Sequence, residues 1–186
     1  ELLRSSRSDA EGSDSAQALS LNAQLIWREL DSVLLPTRGF TLSLQGGAGQ
    51  ARSGGGSGPF GRAYGRLTAY LPLGEKLVLA GRARLGSISG TALNNIAPSR
   101  RFYAGGGGSI RGFSYQDIGP RDAFGDPIGG RSLAEFSMEA RLRFGAFGVV
   151  PFVDAGNIYT ESLPGKSHAM LEMDGVPLGY RNNGTW

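Results

Sequence analysis

The chain has 186 residues, with 19 Lys and Arg against 16 Asp and Glu, a formal net charge of +3. That balance is too small to argue for nucleic acid, and the lack of cysteine excludes a disulfide framework, thiol catalysis and thiolate metal sites. Glycine is frequent, at 31 residues, without the G-x-y period of collagen, and no run of about 18 apolar residues marks a transmembrane helix.

The opening residues, E-L-L-R-S-S-R-S-D-A-E-G-S-D, are polar and do not read as a signal peptide. From Ala18 to Leu30 the hydrophobic period is two. Leu19, Leu21, Ala23, Leu25 and Trp27 share one face; Ser20, Asn22, Gln24 and Arg28 share the other, with Ile26 out of pattern. A turn over Leu34–Gly39 precedes a second strand in which Phe40, Leu42 and Leu44 alternate with Thr41, Ser43 and Gln45. The stretch Ser53–Gly58 is glycine-rich and is expected to be a loop. In the third strand, Phe60–Leu71, Ala63, Gly65, Leu67, Ala69 and Leu71 oppose Arg62, Tyr64, Arg66, Thr68 and Tyr70. A tight turn at Pro72–Glu75 leads to the fourth, Lys76–Gly86, with Leu77, Leu79, Ala83 and Leu85 opposite Arg82 and Arg84. Ser89–Gly129 has no sustained period. Two more strands follow. In Leu133–Phe144, Phe136, Met138, Ala140 and Leu142 oppose Glu135, Ser137, Glu139, Arg141 and Arg143; in Gly148–Tyr159, Val149, Val153 and Ala155 oppose Phe152 and Asp154.

These six strands are about 10–14 residues long, beyond the usual ~5–6 and enough for the ~9–11 that a tilted strand needs to cross a bilayer. Short turns alternate with longer loops, as in outer-membrane barrels. A soluble sandwich alternates as well, but strand length and loop asymmetry favour the membrane. Six strands cannot close a membrane barrel, for which about eight is the minimum. An open edge in hydrocarbon would leave unpaired backbone groups. The expectation is therefore a fragment whose remaining strands lie before Glu1 and after Trp186.

The least expected segment is R-R-F-Y-A-G-G-G-G-S-I-R-G-F, Arg100–Phe113. Its glycines do not fit the G-x-G-x-x-G phosphate spacing, and no strand–turn–helix context surrounds them. S-I-R-G-F (Ser109–Phe113) instead resembles the (V/I)-R-G-(F/Y) signature in the sixth extracellular loop of the Omp85 superfamily of outer-membrane insertases and translocators. R-R-F-Y-A-G-G resembles that family's lead-in. Gly129–Glu139 is similar to its next strand, Pro151–Ile158 to its F-x-D-x-G strand, and Leu30–Gly39 to its D…P-T-R-G hairpin. The resemblance covers roughly 19–159. Its wording is nearest the TamA-like branch (surface antigen D15 type), less near the BamA-like one.

The resemblance implies an all-β, antiparallel transmembrane barrel of about 16 strands, of which this chain supplies about six. The long loop, 89–129, folds inward, and 161–186 is a divergent or truncated tail. The loop-anchoring motif is Ile110, Arg111, Gly112 and Phe113, and the partner carboxylates are Glu139 and Asp154. The residues themselves agree: Glu139 lies on a polar strand face, Asp154 interrupts an apolar run, and glycines flanking Arg111 leave its guanidinium fork clear for a carboxylate. The implied function is assembly, insertion or translocation of other outer-membrane or secreted proteins, in the bacterial outer membrane. The implied partners are outer-membrane lipid, client outer-membrane or autotransporter polypeptides, and a periplasm-spanning protein, with no nucleic acid. No catalytic residue, cofactor or metal site is expected. The alternatives are a passive channel and the membrane module of a patatin-like lipase, distinguishable by upstream POTRA-like repeats or a G-x-S-x-G elbow.

Other signals are set aside. G-K-S at Gly165–Ser167 lacks the first P-loop glycine, N-G-T at Asn183–Thr185 fits a glycosylation pattern irrelevant to a bacterial protein, and His168, the sole histidine, has no hydrolase elbow around it. Arg62, Arg66, Arg82, Arg84, Arg141 and Arg143 read as a solvated polar face, with attraction of acidic client segments as a second reading.

Overall fold

The computed structural model describes residues 2–9, 12–53, 56–164, 170–173 and 176–177. They form one antiparallel sheet of ten strand segments: β1 (Leu2–Asp9), β2 (Gly12–Leu30), β3 (Gly39–Ser53), β4 (Gly56–Pro72), β5 (Leu77–Gly90), β6 (Ser132–Phe144), β7 (Phe147–Val149), β8 (Phe152–Tyr159), β9 (Met170–Met173) and β10 (Val176–Pro177). Neighbours in sequence are neighbours in space from β1 to β6, then β8, β9 and β10. Segments β7 and β8 pair with β6 in a single register, Leu142 with Val149 and Glu139 with Phe152, so they are one strand interrupted at Val150 and Pro151. There the Ala140 amide donates to the Pro151 carbonyl at 3.0 Å, and proline has no N–H to return the bond. Among the described residues the sheet is not closed.

Each hairpin keeps its register without a bulge: Leu30 pairs with Gly39, Tyr70 with Gly39, Pro72 with Val78, Leu77 with Leu142. Constant register carries side chains across the sheet in rows. One row on the polar face reads Arg28, Thr41, Thr68, Arg82, Ser137, Asp154. The apolar face is bare, with Leu21 84% and Leu85 60% exposed. Most of the buried side chains lie on the polar side, where residues 91–131 fold back over it. Ile96, Phe102, Ile110 and Ile118 from this loop pack with Ile88, Leu133 and Ile158 of the wall. A sheet that leaves its leucines uncovered and encloses its polar face is built for lipid outside and water inside.

The structure corrects the sequence reading in several places. The sheet has ten strand segments rather than six, because β1, β9 and β10 extend it at either side and the last expected strand is divided into β7 and β8. The polar opening residues Leu2–Asp9 pair with Gly12–Leu19, since backbone pairing does not require an alternating pattern. The expected glycine loop is also mostly strand: Ser53 pairs with Gly56 and Ala51 with Gly58. The long loop begins after Gly90 and ends before Ser132, slightly later than the 89–129 expected. Of the tail 161–186, residues 161–164, β9 and β10 are described, and Met170–Gly156 to Met173–Val153 pairing sets β9 beside the strand that carries Asp154. Residues 165–167, His168 and 183–185 lie outside the described residues.

Candidate functional site

The long loop descends along the polar face and returns. Its two arms are held by an antiparallel bridge between Phe102 and Gly130 and another between Ala104 and Ile118. Between them the chain doubles back at Gly105–Phe113, closed by hydrogen bonds from the Gly106 amide to the Phe113 carbonyl (3.0 Å) and from the Ser109 amide to the Gly106 carbonyl (2.9 Å). Glycine is required at two points. Gly105 has φ +107 and a Cβ there would lie 2.4 Å from the Ser114 carbonyl; Gly112, after the arginine, has φ +86.

This doubling brings Arg111 to the wall formed by β6 and β8. Its Nε donates to Asp154 Oδ2 and its Nη2 to Asp154 Oδ1, both at 2.7 Å, a bidentate fork, and its backbone amide adds a third bond to Oδ2 at 3.0 Å. Nη1 donates to Glu139 Oε1 at 2.7 Å and Nη2 also to Ser137 Oγ at 3.0 Å. The guanidinium lies over the Phe152 ring, 3.7 Å from its centroid. Asp154 is fully enclosed, while the Arg111 side chain stays about a quarter exposed. Hydrogen bonding to Asp154 raises the Arg111 pKa above its ordinary value. Glu139 is shared, since Arg141 Nη2 lies 2.9 Å from its other oxygen.

A second contact lies one residue pair toward the loop's base. Ser109 Oγ donates to Glu135 Oε1 and accepts from the Gly105 amide at 3.1 Å. Arg84 Nη1 donates to Glu135 Oε2 at 2.6 Å and its Nε to the Tyr64 hydroxyl at 3.0 Å; Arg82 Nη2 reaches the Ser109 carbonyl at 2.9 Å. Higher up, Arg62 covers the Phe102 ring at 4.5 Å.

The Omp85 superfamily domain matches residues 3–173, most of the chain. The chain belongs to the Omp85 superfamily. Over 112 residues it is 37% identical to the outer membrane protein assembly factor BamA of Nitratidesulfovibrio vulgaris, covering 58% of this chain and 14% of that protein. The crystal structure of BamA from Haemophilus ducreyi lacking POTRA domains 1–3 is similar in fold, with a TM-score of 0.59 and 22% identity over 78% of this chain and 30% of that one. The chain thus spans a minor part of the length of these relatives. As an Omp85 sheet it is an integral part of an outer-membrane β-barrel, and its bare leucine face is the lipid-facing one.

In this Omp85 wall the motif residues have separate surroundings. Ile110 is buried in the apolar cluster, Phe113 packs against that cluster, Gly112 is exposed, and Arg111 alone reaches the carboxylates of Glu139 and Asp154. Sequence reasoning missed Ser137, Ser109 and the Arg84–Glu135 pair as contacts of the loop. Strand alternation put Ser137, Glu135 and Arg84 on the right face, but only register shows that Ser137 sits directly opposite Asp154.

Proposed function

We propose that the chain forms part of the barrel of an outer-membrane assembly factor, assisting insertion or translocation of other outer-membrane or secreted polypeptides without bond chemistry. The observation that carries this reading is the set of five hydrogen bonds from Arg111 to Asp154, Glu139 and Ser137. They fasten the doubled-back loop to the lumenal wall, in the order of motifs that marks the family. A fastened loop fixes the shape of the lumen while client strands add to an open sheet edge by backbone pairing. Within the family we assign the TamA-like branch, which the wording of the motifs taken together most resembles, with autotransporter polypeptides among the clients and a periplasm-spanning partner protein.

The test uses the full-length protein in proteoliposomes, scoring assembly of an autotransporter and of a second outer-membrane barrel. Arg111→Glu should abolish most assembly, and combination with Asp154→Arg or Glu139→Arg should restore part of it. Strictly additive losses would refute a role for the contact. Ion conductance unaltered in Arg111→Ala, with no client assembly by the parent protein, would establish a passive channel instead. Preference for the second barrel over the autotransporter would overturn the branch.

A further inference from the structure

Cations outnumber acids on the inner face of the wall. On the strands between residues 17 and 159 its acids are Glu135, Glu139 and Asp154, and each already accepts from an arginine: Arg84, Arg111 with Arg141, and Arg111. Arg28 and Arg66 are exposed and have no ion pair among the described residues, and Arg82 donates to a carbonyl, not to a carboxylate. The loop reaches Arg82 through the Ser109 carbonyl and leaves Arg28 and Arg66 exposed.

The three arginines are regularly placed. Arg28 in β2 and Arg82 in β5 share one row, with Thr41 and Thr68 between them. Three strand spacings separate them, roughly 14 Å. Arg66 stands on β4, two residues from Thr68 on the same face. Arg28, Arg66, Thr41, Thr68 and Tyr70 line an open recess of about 450 Å³, and Arg66, Thr68, Tyr70 and Arg82 line its neighbour of about 170 Å³. An extended polypeptide advances ~3.4 Å per residue, so acids four residues apart span the same ~14 Å. Guanidinium groups spread over that distance match several carboxylates on one chain rather than a single small anion. The threonine and tyrosine hydroxyls between them offer hydrogen bonds to its backbone.

We infer that this end of the inner wall is a binding surface for an acidic, extended polypeptide segment lying across β2 to β5, with Arg28, Arg66 and Arg82 taking its carboxylates. The inference deepens the reading above, since it gives the chemistry of a polypeptide handled by the same lumen, and it rests on that reading.

The experiment measures fluorescence anisotropy of a labelled ten-residue peptide, Glu at every fourth position in a Ser/Thr background, with the full-length protein in nanodiscs. The Glu peptide should bind at least tenfold more tightly than its Gln counterpart at low salt, and the advantage should shrink as salt screens it. Arg28→Ala with Arg66→Ala should remove the advantage, whereas Lys at both positions should keep most of it. Arg66→Glu should favour a Lys peptide. Heat-modifiable mobility on gels verifies that each variant barrel is folded. Equal binding of the two peptides, or an advantage that survives the double alanine change, overturns the inference. Displacement of the peptide by inorganic phosphate at equal charge concentration also overturns it, in favour of a phosphate or lipid-headgroup site. Client assembly is scored in parallel: equal binding of the Glu and Gln peptides by a parent protein that assembles its clients sinks this inference alone, while additive losses in the Arg111 cycle sink the function and leave the peptide result standing.

Discussion

The Ser137 hydroxyl donates to Asp154 Oδ1 at 2.6 Å, and both side chains are buried on adjacent strands directly across from one another. The same hydroxyl accepts from Arg111 Nη2, so serine completes a three-member ring with the carboxylate and the guanidinium. Its removal leaves the bidentate fork intact. Ser137→Ala should therefore cost about 1.5–3 kcal/mol, as for a hydrogen bond to a charged group. Asp154→Ala should cost more, about 3 kcal/mol or above, because Arg111 loses its enclosed counter-charge. Urea unfolding in micelles ranks the two, and protease cleavage within 100–130 reports whether the loop has come away. Equal costs would mean that the carboxylate is not the main fastening.

Two glycines of β5 separate loop packing from strand preference. At Gly86 a Cβ would lie 2.5 Å from the ring of Phe102, whereas at Gly81 nothing lies within 4 Å. Gly86→Ala should displace that buried ring at a cost of about 1–3 kcal/mol. Gly81→Ala should be neutral or stabilise by about 0.5–1 kcal/mol, since glycine is a poor strand residue. Thermal unfolding of the two variants checks the contrast, and comparable losses at both would contradict the packing.

The turn between β2 and β3 is organised by one exposed acid. Asp31 Oδ1 accepts from the amides of Ser32, Thr37 and Arg38, each at 3.0 Å, and Oδ2 from the Thr37 hydroxyl. These bonds, the Thr37 hydroxyl first, lower its pKa from 3.8 to about 2. A folded value below the unfolded one means that the charge holds the turn fully above pH ~4–5 and loses its hold as pH falls through about 2. Carboxyl NMR should give a midpoint near the folded value, with amide exchange at Thr37 and Arg38 unchanged down to pH 3. A midpoint near 4 would contradict the hydrogen-bonded geometry.

Opposite faces of β4 and β5 should tolerate a charge differently. Leu85 is 60% exposed on the leucine face, and Thr68 lines the inner recess. Leu85→Lys should cost up to ~2–4 kcal/mol in a bilayer, the range for a cation on the lipid face of a barrel. Thr68→Lys should cost little. Unfolding in lipid vesicles measures both. A Leu85→Lys barrel as stable in lipid as the parent would mean that this face does not meet hydrocarbon.

The walls were legible because each strand meets two solvents, lipid and water, and the contrast imprints a period of two from Leu19 to Trp27 and from Phe136 to Leu142. That signal fades near the loop. Between Ser53 and Gly58 side chains are small or absent, so the sequence looked like a loop, although Ser53 pairs with Gly56 and Arg52 with Ser57. At Ile88, Leu133 and Ile158 apolar residues appear on the inner face because the loop packs on them there, which spoils the alternation. In the site, Arg111, Glu139 and Asp154 stood out through a glycine-flanked motif and acids in marked positions. Ser109 and Ser137 did not, since a hydroxyl on a polar face looks like any other until register names its neighbour.

The bulge-free registers from Leu30–Gly39 to Leu77–Leu142 constrain how such a wall can change over time. A single residue gained or lost inside a strand would turn everything beyond it inside out, sending arginines into oil and leucines into the lumen. Length variation among descendants of this sequence should therefore accumulate in the connecting segments. Within strands it should arrive two residues at a time.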